Sequence, residues 1–120
     1  MATLMILVAG PYRGGTNDDP VLIEANVQRM TAMALALYKM GHLPVMGEWF
    51  ALPLIHAAGS KAMGDDVWNE MFHPVAIRLI EHCDAVLRIG GASSGADQMI
   101  ETGKVHGKKI FYSIDEIPAP

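Results

Sequence analysis

Residues 4–9, Leu-Met-Ile-Leu-Val-Ala, constrain the fold most, because they form a continuous apolar run that stops at Gly10-Pro11. A strand with one face in water alternates apolar and polar residues, whereas a strand covered on both faces reads as an unbroken apolar run. Covering both faces of a sheet requires helices above and below it. The run therefore predicts a central strand of a parallel α/β sheet.

The rest of the chain alternates helix and strand signals. Asp19-Pro20 supplies a helix N-cap followed by proline at the first helical position, and Gly41 supplies a helix stop. Further strands are predicted at residues 43–46, 84–89 and 109–113. Further helices are predicted at residues 53–62, from Asp65 or Asp66 toward Cys83, and from Ser93 or Ser94 to Gly107. Pro74 is expected to kink or split the middle one, and residues 117–120 form a terminal tail.

This alternation, without any hairpin signal, predicts right-handed crossovers in a parallel sheet. We predict a single domain over residues 1–120, of the three-layer, Rossmann-like (flavodoxin-like) α/β class. Its sheet has four or five strands flanked by helices. The second strand lies on one side of the first, and the strand that begins at Asp84 lies on the other.

Charge and composition exclude several classes of partner. Nine basic against 13 acidic residues give a net charge of −4, with no basic run, so we expect no nucleic-acid partner. No segment approaches the roughly 18 apolar residues of a membrane span, and the apolar start lacks the charged lead of a signal peptide. A mean hydropathy of +0.23 leaves apolar surface, so we expect a homo-oligomer.

Metal chemistry and disulfides are not expected either. The single Cys83 excludes an intramolecular disulfide and points to the cytoplasm. The five histidines show no H-x-H or H-x-x-x-H spacing, so neither a metal nor another cofactor is predicted. His56 follows the second strand and either lines a pocket or lies on the surface.

Two glycine-rich turns, residues 10–16 and 90–96, follow predicted strands. Ligands of open parallel sheets bind beyond the carboxyl ends of the strands, and a helix that starts there offers free N–H groups to an anion. The turns therefore predict a phosphate site with a base stacked on Tyr12, although both could be ordinary turns with capping serines. Glu48 holds a ribose hydroxyl or caps a turn. The predicted substrate-binding residues are Gly10, Tyr12, Arg13, Gly14, Gly15, Glu48, Ser93, Ser94 and Gly95.

The two turns do not match the common sequence motifs for phosphate binding or for a catalytic nucleophile. The Walker lysine is absent, and no G-x-G-x-x-G follows a strand. Residues 91–95 fit G-x-S-x-G by letters but have no aspartate and histidine partners in the order of a serine hydrolase.

The two turns do resemble those of the nucleoside 2-deoxyribosyltransferase-like family, which includes transferases and a nucleoside 5′-monophosphate N-glycosidase branch. The resemblance covers most of the chain. Residues 10–15 have the G-x-x-R-G-G arrangement of the hydrolase branch, and residues 83–87 are similar to the family's aspartate-led strand. Ser93, Gly95 and Gly107-Lys108 have the spacing of its active-site helix. The monophosphate hydrolases bind a phosphate at the position of Ser93, so the resemblance implies a phosphorylated ligand.

The family's carboxylates are missing at their usual positions. Its nucleophilic glutamate corresponds to Met99, and its second acid falls near Ala76 or Arg78. Cleavage or exchange of an N-glycosidic bond would then use Asp97 or Glu101, each about 200° around the helix from Met99. Asp97 could equally be a first-turn acid favoured by the helix dipole. The alternatives are a non-catalytic nucleotide-binding or sensor module and a purely structural protein.

Overall fold

In this computed structural model, which describes residues 2–120, strands are joined by helices, and one of the three connections contains two helices. The strands are β1 (Met5–Ala9), β2 (Leu43–Val45), β3 (Ala85–Arg88) and β4 (Lys109–Phe111). The helices are α1 (Pro20–Met40), α2 (Gly47–Ala57), α3 (Asp66–Ile80) and α4 (Ser94–Val105), followed by a 3-10 helix at Ile114–Glu116.

The four strands form one parallel sheet in the order β2-β1-β3-β4, so the predicted α/β class and the central position of β1 are confirmed. Leu7 pairs with Val45 on one side and with Val86 on the other. The side chains of β1 alternate between the two faces of the sheet. Ile6 and Val8 pack with the buried face of α1, whereas Leu7 and Ala9 pack with α3 and α4.

Helix α1 has the predicted ends. The Asp19 side chain accepts a hydrogen bond from the N–H of Val21 (2.9 Å), Pro20 is the first helical residue, and Gly41 closes the helix with φ of 104°. Only glycine adopts this left-handed conformation without steric cost. Neither α1 nor any other helix within residues 2–120 is long and apolar enough to cross a membrane.

The two helices that contain prolines differ in part from the predictions made for them. Helix α2 spans Gly47–Ala57 instead of residues 53–62, and Pro53 lies inside it. Helix α3 begins after its predicted cap Asp65 and runs to Ile80, three residues before Cys83, but it is not split at Pro74, which lies inside it. Packing against Trp68 accounts for α2, because it buries residues on both sides of Pro53 and this burial outweighs the lost backbone hydrogen bond.

The end of the chain, predicted as a tail, is tied into the fold by a buried histidine. His42 is 2% exposed. Its Nδ1 accepts the N–H of Leu4 (3.1 Å), and its Nε2 is 2.7 Å from the carbonyl oxygen of Pro118. Ile117 is buried in the cluster formed by β1 and α1. One imidazole therefore joins the residue before β1 to the last residues of the chain.

Candidate functional site

A cavity of about 270 Å³ opens where β1 and β3 end at their carboxyl sides, as expected for a ligand site in an open parallel sheet. All predicted binding residues except Gly15 and Glu48 line it. The lining consists of Gly10, Tyr12, Arg13, Gly14, Phe72, His73, Ser93, Ser94, Gly95, Ala96 and Met99. Gly15 lines a neighbouring cavity of about 340 Å³ instead.

The two glycine-rich turns touch each other, and this contact explains several of their glycines. A Cβ on Gly14 would lie 3.2 Å from the carbonyl oxygen of Ala92, and one on Gly90 would lie 2.7 Å from the Pro11 ring. Gly90 also has φ of 78°. These glycines are therefore needed for the turns to pack, whether or not their N–H groups contact a ligand.

The second turn leads into the N-terminus of α4, which faces the cavity. The Ser93 hydroxyl caps the helix by accepting the N–H of Ala96 (3.1 Å). Ser94 and Gly95, the first two helical residues, have N–H groups with no carbonyl partner inside the helix. Both line the cavity. Free N–H groups and the positive end of the helix dipole together favour an anion here.

His73 is the cavity residue whose role the sequence did not reveal. Its Nε2 is buried and has no hydrogen-bond partner within residues 2–120. The ring lies against α4, because a Cβ on Gly95 would be 2.9 Å from His73 Cε1. No local pattern could have singled out this histidine, since only the packing of α3 beside α4 brings it to the serines.

Arg13 reaches the cavity already paired. Its Nε and Nη2 each donate a hydrogen bond of 2.8 Å to the Asp18 carboxylate, which lowers the pKa of Asp18. The guanidinium lies 6.0 Å from the centre of the Trp68 ring. An anion in the cavity would therefore meet a partly neutralised cation, and Arg13 is a weaker anion ligand than the sequence suggested.

Tyr12 forms one wall of the cavity together with other aromatic rings. Its ring centre is 5.1 Å from that of Phe72 and 6.1 Å from that of Trp68, and Phe72 and Trp68 stack at 4.7 Å. Burial, followed by the nearby charges of Glu48 and Glu24, raises the pKa of Tyr12. Tyr12 and Phe72, which both line the cavity, provide the apolar surface that a planar base would need.

Glu48 is placed differently from the prediction of a residue in a turn. It is the second residue of α2 and is only 9% exposed. Its Oε1 is buried and has no hydrogen-bond partner in the described part of the chain. Burial raises the pKa of Glu48 to about 7, against the opposing effect of a hydrogen bond from its own backbone N–H.

The two predicted catalytic carboxylates lie outside the cavity lining. Asp97 accepts a hydrogen bond from Nε of Arg88 (3.1 Å), Glu101 is 3.4 Å from Nζ of Lys104, and the side chains of both acids are largely exposed. Met99, between them on α4, lines the cavity and also packs against the apolar cluster around Val86. The helix directs Met99 to the cavity and both neighbouring acids to solvent, which argues against their predicted role.

The remaining sequence candidates lie apart from this cavity. His56 lines a separate cavity of about 310 Å³, which shares Tyr12 with the first. Ala76 is buried against the start of α2, and Arg78 lines a shallow groove near Phe50. Residues 2–120 contain no group of three or more histidine, cysteine, aspartate or glutamate side chains placed to hold a metal ion.

Comparison with models of protein families finds none that matches this chain, and comparison with curated proteins finds no significant match.

Proposed function

We propose that this chain binds a nucleoside 5′-monophosphate, or a related phosphorylated ribosyl compound, in the cavity between the two glycine-rich turns. The observation that carries the proposal is the meeting of three anion-binding features in one cavity. They are the free N–H groups at the start of α4, the hydroxyls of Ser93 and Ser94, and the imidazole of His73, whose residues all line the cavity. A phosphate can accept hydrogen bonds from all three.

The opposite wall of the cavity suits the rest of such a ligand. Tyr12 and Phe72 offer aromatic surface to a base, and the ribose would lie between the base and the phosphate. The volume of about 270 Å³ is slightly below the range of roughly 300–1,000 Å³ for small-molecule sites. This size favours a mononucleotide over a dinucleotide.

The sequence resemblance supports the same ligand class. The G-x-x-R-G-G turn and Ser93 are the features similar to the 5′-monophosphate N-glycosidase branch, and Ser93 and all of the motif's fixed residues except Gly15 line this cavity. The second candidate is a non-catalytic nucleotide-binding or sensor module. It is favoured by Met99 at the position of the family's nucleophile and by the exposure of Asp97 and Glu101.

Self-association stays a prediction from composition. The large apolar side chains of Tyr38, Leu43 and Trp49 are about half exposed or more and line one shallow groove. Exposed apolar surface of this kind often marks a contact with another protein.

Titration calorimetry with purine and pyrimidine nucleoside 5′-monophosphates, each paired with its unphosphorylated nucleoside, tests the proposal. We expect saturable binding of at least one monophosphate, and binding of the matched nucleoside at least about tenfold weaker, because charge-assisted hydrogen bonds to phosphate are among the strongest in proteins. Absence of binding across the panel at millimolar concentration would reject the proposed function.

Gly95→Ala is expected to weaken monophosphate binding by about tenfold or more. The new methyl group would lie 2.9 Å from His73 Cε1, so it must displace the imidazole from the start of α4. Gly91→Ala is the matched control, since a Cβ on Gly91 meets nothing within 4 Å. Calorimetry on both variants makes the comparison. Equal affinity in Gly95→Ala and the wild type would remove His73 and this end of α4 from the site.

A further inference from the structure

A second cavity, of about 340 Å³, lies beside the cavity of the proposed function. Gly14 lines both cavities, and a Cβ on it would lie 3.2 Å from the carbonyl oxygen of Ala92, so the touching turns separate them. The lining of the second cavity comes from the two glycine-rich turns and from one face of α1. Its volume falls within the range of roughly 300–1,000 Å³ for small-molecule sites.

Arg29, on α1, is the only charged residue that lines the second cavity. Within residues 2–120 no aspartate or glutamate forms an ion pair with it. The two other arginines near this edge of the sheet are each paired with an acid, Arg13 with Asp18 and Arg88 with Asp97. Arg29 therefore gives the second cavity a positive charge that no carboxylate offsets, whereas the first cavity has only the paired Arg13.

A buried asparagine holds the guanidinium of Arg29, although Arg29 as a whole is exposed. Asn26 is 5% exposed, and its Nδ2 donates hydrogen bonds to the carbonyl oxygens of Tyr12 (2.9 Å) and Gly14 (3.4 Å). Its Oδ1 accepts a hydrogen bond from Nη2 of Arg29. The guanidinium makes no other hydrogen bond within residues 2–120, so its remaining N–H groups are available to a ligand. A side chain that is already held loses less freedom when it binds.

The two turns add backbone donors to the same lining. The N–H groups of Gly15, Gly91 and Ala92 donate no hydrogen bond to a backbone carbonyl within residues 2–120. A Cβ on Gly15 or Gly91 would meet no atom within 4 Å, so nothing covers the backbone there. Unpaired N–H groups in turns of this kind form concave anion sites. A phosphate has enough oxygens to accept hydrogen bonds from these groups and from Arg29 together.

We propose that the second cavity is a phosphate site in which Arg29 supplies the charge, separate from the phosphate position at the start of α4. The site does not require the proposed function, because only Gly14 is common to the two linings. The phosphate is either a free ion or the second phosphate group of a nucleoside bisphosphate. Asn26 links the two sites, since its amide contacts Arg29 and also the carbonyl oxygens of Tyr12 and Gly14, which line the first cavity.

An NMR titration of the isotope-labelled protein with inorganic phosphate, at an ionic strength held constant with chloride, tests the site. We expect saturable shifts of the amide signals of Gly91 and Ala92 and of the Nε signal of Arg29. Arg29→Gln should raise the phosphate Kd obtained from the two amide signals by about tenfold or more, because charge-assisted hydrogen bonds are lost. Arg78→Gln removes the same charge from an exposed position on α3 and should leave this Kd unchanged.

A pair of variants at Ala25 tests the charge while Arg29 stays in place. Ala25 lines the second cavity one helical turn before Arg29, so Ala25→Glu brings a carboxylate within reach of the guanidinium and also supports the helix. This variant should lose phosphate binding at Gly91 and Ala92. Ala25→Gln has nearly the same size without the charge and should keep the wild-type Kd within about threefold. Equal phosphate affinities in the two variants would overturn the proposal.

Two nucleotides identify the source of the phosphate. If the ligand is a free ion, inorganic phosphate should still shift Gly91 and Arg29 after a nucleoside 5′-monophosphate has saturated the first cavity. If it belongs to the nucleotide, a nucleoside 3′,5′-bisphosphate should bind about tenfold or more tightly than the 5′-monophosphate, and Arg29→Gln should remove that gain.

The same signals separate failure of this inference from failure of the proposed function. Saturable shifts at Ser94 and Gly95 alone, with none at Gly91, Ala92 or Arg29 for any of these ligands, would overturn the second site and leave the first standing. Phosphate shifts at Gly91 and Arg29, with no monophosphate bound in the first cavity, would reject the proposed function and keep the second site.

Discussion

Glu48→Gln is expected to raise the free energy of unfolding by about 3 kcal/mol near pH 8 and to change it little near pH 4. The folded protein holds the carboxyl with a pKa of about 7, whereas the ordinary value is 4.5. Between these values the unfolded chain has released the proton and the folded chain has kept it. The contribution of Glu48 to the stability of the wild type therefore falls as pH rises from about 4.5 to 7. Above pH 7 this contribution stays constant. Glutamine carries no charge, so the stability of Glu48→Gln does not fall over this pH range.

Urea unfolding of the wild type and Glu48→Gln at pH 4, 6 and 8 measures this effect. The difference in stability should grow with pH while the m-value stays constant. Glu24→Gln, at an exposed carboxylate, should follow the wild type within about 0.5 kcal/mol at each pH. A constant difference between Glu48→Gln and the wild type across this range would contradict the assigned burial of the charge.

His42→Ala is expected to lower the free energy of unfolding by about 3 kcal/mol. The substitution leaves the N–H of Leu4 and the carbonyl oxygen of Pro118 without their partner and opens a space at a residue that is 2% exposed. Because Nδ1 accepts from Leu4, the ring proton is on Nε2 and is donated to Pro118. Both nitrogens are used, and alanine reproduces neither bond.

Chemical denaturation of His42→Ala beside His106→Ala tests this expectation. His106 is an exposed histidine at the end of α4, and its loss should change stability by no more than about 0.5 kcal/mol. Hydrogen exchange should become faster at the amide of Leu4, since that N–H loses its acceptor. A loss of less than about 1 kcal/mol in His42→Ala would mean that the link between the two ends of the chain contributes little to the fold.

Local sequence signals were enough to predict the central strand, the ends of α1 and the parallel sheet. The apolar run in residues 4–9 predicts a strand covered on both faces, and β1 packs against α1 on one face and against α3 and α4 on the other. The caps Asp19 and Gly41 fix the ends of α1, because their effects depend on backbone groups within a few residues. The parallel arrangement follows from the alternation of strands and helices. The two turns meet at one edge of the sheet for the same reason.

Local signals failed where packing over long sequence distances outweighed them. Pro53 and Pro74 mark helix boundaries on propensity alone, yet both lie inside helices. Burial of Ala51 and Ile55 against Trp68 stabilises α2 across its proline. A single proline costs a few kcal/mol in a helix, and two well-buried turns on either side can offset that cost.

The sequence by itself determined which turns form the cavity and that a serine of the second turn caps α4, since both follow from strand ends and capping chemistry. Only the tertiary structure decided which other side chains lie near these turns and serines. The packing of α3 beside α4 brings His73 to the serines, and Glu48 is buried at the start of α2, where that helix packs against α3. The acidity of Glu48 also belongs to the tertiary structure. A pKa depends on how much water surrounds the carboxyl in the folded state, and the residues next to it in the chain do not specify that.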